Sequence, residues 1–171
     1  PRLGGRIAVG ATLETSIGPV EILTAHLENN QGPTERADAL RELFDRRLTH
    51  LPSVFGGDLN TSTLNPRLHT DPFRERAELA IAYPNRFLNP HAYEPLFDLC
   101  HHHEFQWGTC NTKDVTQRPR ERGYPKAPLG RIDWFFVKQL IAQHPKTIPA
   151  IGRDGLTISD HDLIVCDLLL R

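Results

Sequence analysis

The sequence predicts an α/β protein. Two strand-like apolar runs, residues 7–13 and 20–27, come first, a segment with helical spacing follows at 35–49, and a third apolar run covers 51–55. Strands and a helix that alternate in this way are typical of a sheet with helices packed against it. A chain of 171 residues is long enough to bury a core, and we expect a single domain over residues 1–171.

The composition is that of a soluble globular protein, with 39% hydrophobic and 24% charged residues. No apolar run approaches the ~20 residues that a membrane helix needs, so we expect no membrane span. The three cysteines form no CxxC pair, which favours free thiols in a reducing compartment and hence a cytoplasmic location. A net charge of −1 does not by itself indicate a nucleic-acid binder.

The first two predicted strands form an antiparallel hairpin, because the turn signal Ser16-Ile17-Gly18-Pro19 lies between them. We predict that Thr34 is the N-cap of the following helix, with Glu35 favoured by the helix dipole in the first turn. Apolar residues then recur at helical spacing, which predicts an amphipathic helix that ends near Thr49. They are Ala37, Leu40, Leu43, Phe44 and Leu48.

The third apolar run is predicted to be a buried strand, and the two glycines after it, Gly56 and Gly57, allow the backbone to turn sharply. Asp58 and Asn60 follow, two residues apart. In an extended chain such side chains point the same way, so a carboxylate and a carboxamide are expected side by side. This pair suits a water, a phosphate oxygen or a hard metal ion. A Gly-Asp turn with an Asx hydrogen bond is the alternative.

Four further elements and a long loop are predicted downstream. Residues 72–82 and 95–103 have the features of short helices, and residues 108–130 form a loop long enough to suggest a functional segment. Residues 131–137 are nearly all apolar, as in a central strand covered on both faces. Residues 163–170 form the last predicted strand.

Asp133 is the exception in its apolar strand, and it needs a partner because an unpaired buried carboxylate is costly. His161 is the candidate, since an Asp that orients an imidazole is a recurring catalytic dyad. Alternatives remain for each residue. An Arg or a backbone donor would also satisfy Asp133, and Ser159-Asp160-His161 would also serve to cap a turn. His26 would be an ordinary histidine after a strand.

Four short motifs occur in a fixed order, and together they resemble the endonuclease/exonuclease/phosphatase family of DNase I-like proteins. The resemblance spans nearly the whole chain. It implies a four-layer α/β sandwich of two packed mixed sheets flanked by helices, and metal-dependent hydrolysis of phosphate esters. The motifs are Thr24-Ala25-His26-Leu27, Gly57-Asp58-Leu59-Asn60, Arg131-Ile132-Asp133 and Ser159-Asp160-His161.

The resemblance implies a catalytic role for five residues. His161, oriented by Asp133, would act as a general base on water or as an imidazolium that stabilises the phosphate. Asp58 and Asn60 would orient the nucleophile and the phosphate. His26 would stabilise the transition state or protonate the leaving oxygen.

The resemblance also implies a hard-metal site for Mg²⁺ or Mn²⁺ formed by Asp160, Asp58 and Asn60. The family's first half supplies an early Asn and a metal-binding Glu that have no match here. We therefore expect the chain to be the C-terminal part of such a domain, and we expect a missing N-terminal segment of the same domain to be its partner.

The substrate is less defined by the sequence. Residues 113–131 contain six cationic side chains and two carboxylates, and Arg118, Arg120 and Arg122 would steer a phosphate while Trp107 stacks on a base. A solvated loop is the alternative. We expect a phosphate-ester substrate, with nucleic acid a candidate, and favour a nuclease or related phosphodiesterase. A lipid or inositol-phosphate phosphatase and a non-catalytic binding module are the other interpretations.

Overall fold

The computed structural model describes residues 7–16, 18–28, 31–61, 94–117 and 131–170, and every structural statement below refers to these ranges. The predicted helix over 72–82 lies outside them. No helix in the described ranges is long and apolar enough to cross a membrane. The elements are β1 (Ala8–Thr15), β2 (Gly18–Ala25), α1 (Pro33–Arg47), β3 (Ser53–Asp58), α2 (Pro95–His102), β4 (Asp133–Lys138), β5 (Leu140–Ile148) and β6 (Leu163–Leu170).

The described strands form a four-stranded sheet in the order β1-β2-β3-β4 and a two-stranded sheet of β5 and β6. β1 and β2 make the predicted hairpin, and β3 lies parallel to β2 because α1 carries the chain back across the sheet. β4 runs antiparallel to β3, with Asp133 directly opposite Asp58. The predicted α/β class is confirmed, and the register of β3 and β4 sets two carboxylates side by side.

α1 begins one residue before the predicted N-cap. Gly32 is the N-cap residue, no side chain caps the helix, and Pro33 occupies the first turn. Proline is suited to this position because its φ is already helical and it has no N–H to satisfy. The predicted N-cap role of Thr34 is therefore wrong. The buried apolar face is as predicted, with Ala37, Leu40 and Phe44 fully buried.

The main core fills the space between the two helices and one face of the four-stranded sheet. The rings of Phe55 in β3 and Phe136 in β4 lie 5.7 Å apart, and Phe44 of α1 meets Phe55 edge-on at 5.2 Å. Phe97 of α2 meets Trp134 edge-on at 4.9 Å. Each such aromatic pair adds about 0.5–1.5 kcal/mol to the stabilisation from buried area. The predicted short helix near 95–103 is thus confirmed as a core element.

A second apolar cluster covers the opposite face of the sheet. Val54 of β3 and Val137 of β4 pack there against Leu140 and Ala142 of β5, with β6 side chains beside them. β4 is therefore covered on both faces, as its composition predicts. Its predicted central position is wrong within the described residues, since β4 is the last strand of its sheet.

The outer edge of β4 is satisfied by residues 106–116, which we call the edge segment. Gln106 exchanges two backbone hydrogen bonds of 2.8 Å with Val137. The Asn111 side chain accepts from the N–H of Phe135 at 2.9 Å and donates to its carbonyl at 2.7 Å. The edge segment thus replaces a further strand and leaves no open edge at these positions.

β5 is not among the elements that the sequence predicts. Its pairing with β6 shifts register between Gln143 and Lys146, and His144 between them has a φ of +50°. Such a bulge, with Pro145 inside it, interrupts the two-residue alternation by which a strand is recognised.

Candidate functional site

The candidate site lies at one end of the four-stranded sheet. β2 and β3 are parallel, so His26 and Asp58 emerge at the same edge, and the antiparallel β4 begins there with Asp133. His161 reaches this edge from the loop that precedes β6. The five residues predicted to be catalytic therefore meet at this edge, since Asn60 also contacts Asp58 through its N–H.

The two glycines of β3 make this convergence possible. The strand continues through Gly56 and Gly57 to Asp58, so the sharp turn predicted there is wrong. A Cβ atom on Gly56 would lie 2.4 Å from the Trp134 carbonyl oxygen, and one on Gly57 would lie 2.2 Å from that of Ala25. Gly57 also has a φ of +133°, which favours glycine. The glycines let β3 fit closely between β2 and β4.

Asp133 holds the His161 ring through Nδ1, which lies 3.0 Å from Oδ2 and 3.2 Å from Oδ1. The pairing expected from the sequence is present. Nε2 of His161 then lies 3.9 Å from Oδ2 of Asp58. His26 approaches the same oxygen, with its Nε2 at 3.3 Å. One carboxylate oxygen is thus within 4 Å of two imidazoles.

The electrostatics of the site favour proton binding. The pKa of His161 is raised, chiefly by its hydrogen bond to Asp133, with burial opposing and the charges of Asp58 and Asp160 adding to the effect. The pKa of Asp58 is also raised, chiefly by burial and then by the nearby charge of Asp133. The N–H of Asn60 and the two histidines offset part of that rise. Repulsion between the two neighbouring carboxylates of this half-buried site is therefore one reason why Asp58 keeps its proton more readily.

Asn60 does not continue the strand. Its φ is +48°, its N–H donates to Oδ1 of Asp58 at 3.0 Å, and its side-chain Nδ2 donates to the Leu27 carbonyl at 2.9 Å. The extended geometry predicted over residues 58–60 is wrong, and the alternative Asx hydrogen bond is present. The buried carboxamide fastens the loop after β3 to the chain that leaves β2.

A buried ion pair between Arg36 and Glu94 supports the same loop. The Thr61 hydroxyl and the Arg36 guanidinium both bind the Glu94 carboxylate, and Nη2 of Arg36 lies 2.7 Å from Oε2. The indole N–H of Trp134 donates to the Thr61 carbonyl at 3.0 Å. Thr61 is therefore held directly by Trp134 of β4 and by Glu94, the N-cap residue of α2, and it is tied to Arg36 of α1 through the Glu94 carboxylate.

Among the described residues, one group of side chains could hold a metal ion. One ligand atom each from Asp58, Asp133 and His161 lie within 4.8 Å of one another. The two carboxylates suit a hard divalent cation, whose charge would also offset their mutual repulsion. Asp160 is not in this group, although its charge acts on His161. The metal-ligand roles of Asp160 and Asn60 remain predictions.

Trp107 is the predicted substrate-contacting residue that lies within the described ranges. Trp107 is half-buried and packs against Phe97 and Phe136, at ring distances of 5.3 and 5.6 Å. These contacts favour a structural role, and stacking on a base remains a prediction. Arg118, Arg120 and Arg122 lie outside the described residues.

Sequence reasoning missed Thr116. This residue is fully buried, and its hydroxyl accepts from the N–H groups of Ile132 and Asp133, each at 3.1 Å. A single threonine in a polar stretch without periodicity gives no sign of burial, so no sequence pattern would have identified it.

No protein-family model matches the sequence, and no curated protein sequence matches it. Solved structures match in fold. A functionally unknown conserved protein from Enterococcus faecalis V583 superposes with a TM-score of 0.68 at 19% identity, over 100% of this chain and 59% of that one. An endonuclease/exonuclease/phosphatase from Bacteroides vulgatus gives a TM-score of 0.62 at 19% identity, over 97% of this chain and 56% of that one.

A mannosyl-6-phosphatase from Bacteroides thetaiotaomicron gives a TM-score of 0.53 at 15% identity, over 96% of this chain and 57% of that one. The chain therefore spans less than two thirds of the length of each of these structures. Its fold is the α/β fold of the endonuclease/exonuclease/phosphatase structures, as the resemblance implies.

Proposed function

We propose that this chain, which has the fold of the endonuclease/exonuclease/phosphatase structures, carries part of a site that hydrolyses a phosphate ester by in-line attack of water. The observation that carries the proposal is the pair of imidazoles, His26 and His161, whose Nε2 atoms lie 3.3 and 3.9 Å from Asp58 Oδ2. Hydrolysis needs one group to take a proton from water and another to stabilise or protonate the leaving oxygen.

His161 is assigned the role of base or of phosphate-stabilising imidazolium. An imidazole whose Nδ1–H donates to a carboxylate presents Nε2 as a proton acceptor, and Asp133 provides that carboxylate at 3.0 Å. The raised pKa of His161 makes Nε2 a stronger base and the imidazolium more stable. Asp133 fixes the orientation of the ring in either case.

His26 and Asp58 are assigned to the two remaining tasks. The His26 side chain is about half exposed, so it is accessible to a bound phosphate and is suited to stabilising the transition state or protonating the leaving oxygen. Asp58 orients the attacking water between the two rings. Asn60 contributes by fixing Asp58 through its N–H, in addition to the phosphate contact proposed for its carboxamide.

The charge of the site supports a divalent cation. The carboxylates of Asp58, Asp133 and Asp160 act on one imidazole, and an anionic substrate would be repelled by them. Mg²⁺ or Mn²⁺, when bound, would offset this negative charge and polarise the phosphate. We propose Asp58, Asp160 and Asn60 as the ligands of this cation. Asp133 and His161 would lie close to it, because both have a polar atom near the Asp58 carboxylate.

The favoured substrate is a phosphodiester, such as a nucleic acid. The basis is the cationic segment 113–131, in which Arg118, Arg120 and Arg122 would steer the phosphate. A phosphomonoester is the second candidate, because one structural neighbour is a mannosyl-6-phosphatase.

The test is hydrolysis of bis-p-nitrophenyl phosphate and p-nitrophenyl phosphate by the full-length protein with Mg²⁺, with Mn²⁺ and with EDTA. We expect metal-dependent release of nitrophenol that EDTA abolishes, faster from the diester. Asp58→Ala should lower the rate by about 10³-fold. Absence of metal-dependent release from either compound would favour a non-catalytic binding module instead.

A further inference from the structure

We propose that Thr116, the last residue of the edge segment, is a positioning residue that sets the distance between Asp133 and His161. This inference rests on the proposed function, because it concerns the geometry of the same pair. Asp133 belongs to the four-stranded sheet, whereas His161 lies in the loop that enters the two-stranded sheet. Their alignment therefore requires a connection between the two sheets.

One side of that connection is the Thr116 hydroxyl. It accepts hydrogen bonds of 3.1 Å from the consecutive N–H groups of Ile132 and Asp133, at the start of β4. The inner edge of β4 is bonded to the β3 side, where the Leu59 N–H donates to the Ile132 carbonyl at 2.9 Å. The backbone of Asp133 is thus held from both edges.

The other side of the connection is the Thr116 backbone. Its carbonyl accepts from the N–H of Asp162 at 2.8 Å, immediately after His161, and Gln117 forms a β-bridge with His161 itself. Asp162 is buried, and its carboxylate accepts from the Ala150 N–H at 3.0 Å. Thr116 therefore contacts the backbone on both sides of the dyad.

Thr116 is fully buried, so water cannot readily replace its hydroxyl as a hydrogen-bond acceptor. Two N–H groups, that of Ile132 buried and that of Asp133 half-buried, share one hydroxyl oxygen, and its removal would leave both without this acceptor. The start of β4 would then shift relative to the His161 loop. A displacement of 1 Å at a catalytic pair lowers turnover by up to about 10²-fold, since the reacting groups must meet at hydrogen-bond distance.

The experiment compares Thr116→Val, which keeps the shape, with Thr116→Ser, which keeps the hydroxyl, in the full-length protein. Ser53→Ala is the matched control, because it removes another buried hydroxyl at the far end of β3. We expect Thr116→Val to lower kcat by about 10-fold or more with KM unchanged, and Thr116→Ser to retain most of the activity. Ser53→Ala should leave both constants unchanged.

Amide hydrogen exchange tests the connection without any activity. In the wild type the N–H groups of Ile132, Asp133 and Asp162 should be protected, and in Thr116→Val the first two should exchange about 10-fold faster. Unprotected N–H groups in the wild type would overturn the inference even if the valine variant failed to fold. Unchanged kcat together with unchanged exchange in Thr116→Val would also overturn it. A wild-type protein that hydrolyses nothing contradicts the proposed function, and exchange still decides whether Thr116 ties the two segments.

Discussion

Two histidine–aspartate pairs in the described part of the chain share the same Nδ1–Oδ2 contact and differ in their surroundings. In both, Nδ1 of the histidine lies 3.0 Å from Oδ2 of the aspartate, in His161–Asp133 and in His144–Asp167. The side chains of the first pair are 27% and 14% exposed, and those of the second are 71% and 75% exposed. Distance therefore does not distinguish a candidate catalytic dyad from a surface contact.

The difference lies in what surrounds each pair. Asp133 is opposite Asp58 in the sheet, its backbone is held by Thr116, and a second imidazole lies 3.3 Å from the Asp58 carboxylate. The exposed pair lies across a bulge between β5 and β6, where solvent screens the charges. An exposed pair of this kind contributes about 0–1 kcal/mol to stability. His161 therefore differs from His144 in three respects. Its ring is fixed, a second carboxylate lies nearby, and its access to solvent is limited.

The largest expected effect separates the two histidines. His161→Ala should lower the rate of phosphate-ester hydrolysis by about 10³-fold, because the group that exchanges a proton with water is lost. His144→Ala should leave the rate unchanged. Steady-state kinetics on bis-p-nitrophenyl phosphate would measure both. Equal rates for the two variants would remove the basis for assigning His161 a catalytic role.

A smaller effect is expected at the aspartates. Asp133→Asn should lower kcat by about 10²-fold, since the amide keeps the volume but no longer stabilises the imidazolium. The pKa of His161, which Asp133 raises, should fall in this variant, and NMR titration of the ring in EDTA would show it. Asp167→Asn should alter neither quantity. A His161 ring that titrates as in the wild type would contradict the role given to Asp133.

Part of the site could be predicted from the sequence and part could not. His26, Asp58, Asp133 and His161 could be identified because each adjoins a strand, where periodic apolar residues fix the position of the side chain. The geometry of Asn60 could not be predicted. Its φ is +48°, and its side chain donates to the carbonyl of Leu27, which is remote in sequence.

Contacts made by single polar residues also could not be predicted from the sequence. Arg36 lies on a helix with a regular apolar face, yet it is fully buried because Glu94, 58 residues away, neutralises it. The bulge in β5 likewise depends on its pairing with β6. Such features follow from tertiary contacts that no local pattern encodes.

The smallest expected effect concerns stability and distinguishes the carboxylate of Asp58 from that of Asp167. The folded-state pKa of Asp58 lies above its ordinary value of 3.8, because of burial and the charge of Asp133. The folded protein therefore binds this proton more tightly than the unfolded chain does, and the resulting stabilisation is complete below the unfolded pKa. It is lost as the pH rises through the folded pKa. Ionised Asp58 thus destabilises the metal-free protein at neutral pH.

It follows that Asp58→Asn should raise the free energy of unfolding by about 1 kcal/mol at neutral pH in EDTA. The gain should shrink towards pH ~3, where the wild-type carboxyl is protonated in both states. Asp167→Asn, on the exposed pair, should change stability by less than about 0.5 kcal/mol throughout. Urea unfolding of the three proteins at both pH values would measure this. A loss of stability in Asp58→Asn at neutral pH would show that the site carries no electrostatic strain, because a carboxylate held against its neighbour for catalysis must cost stability when no cation offsets it.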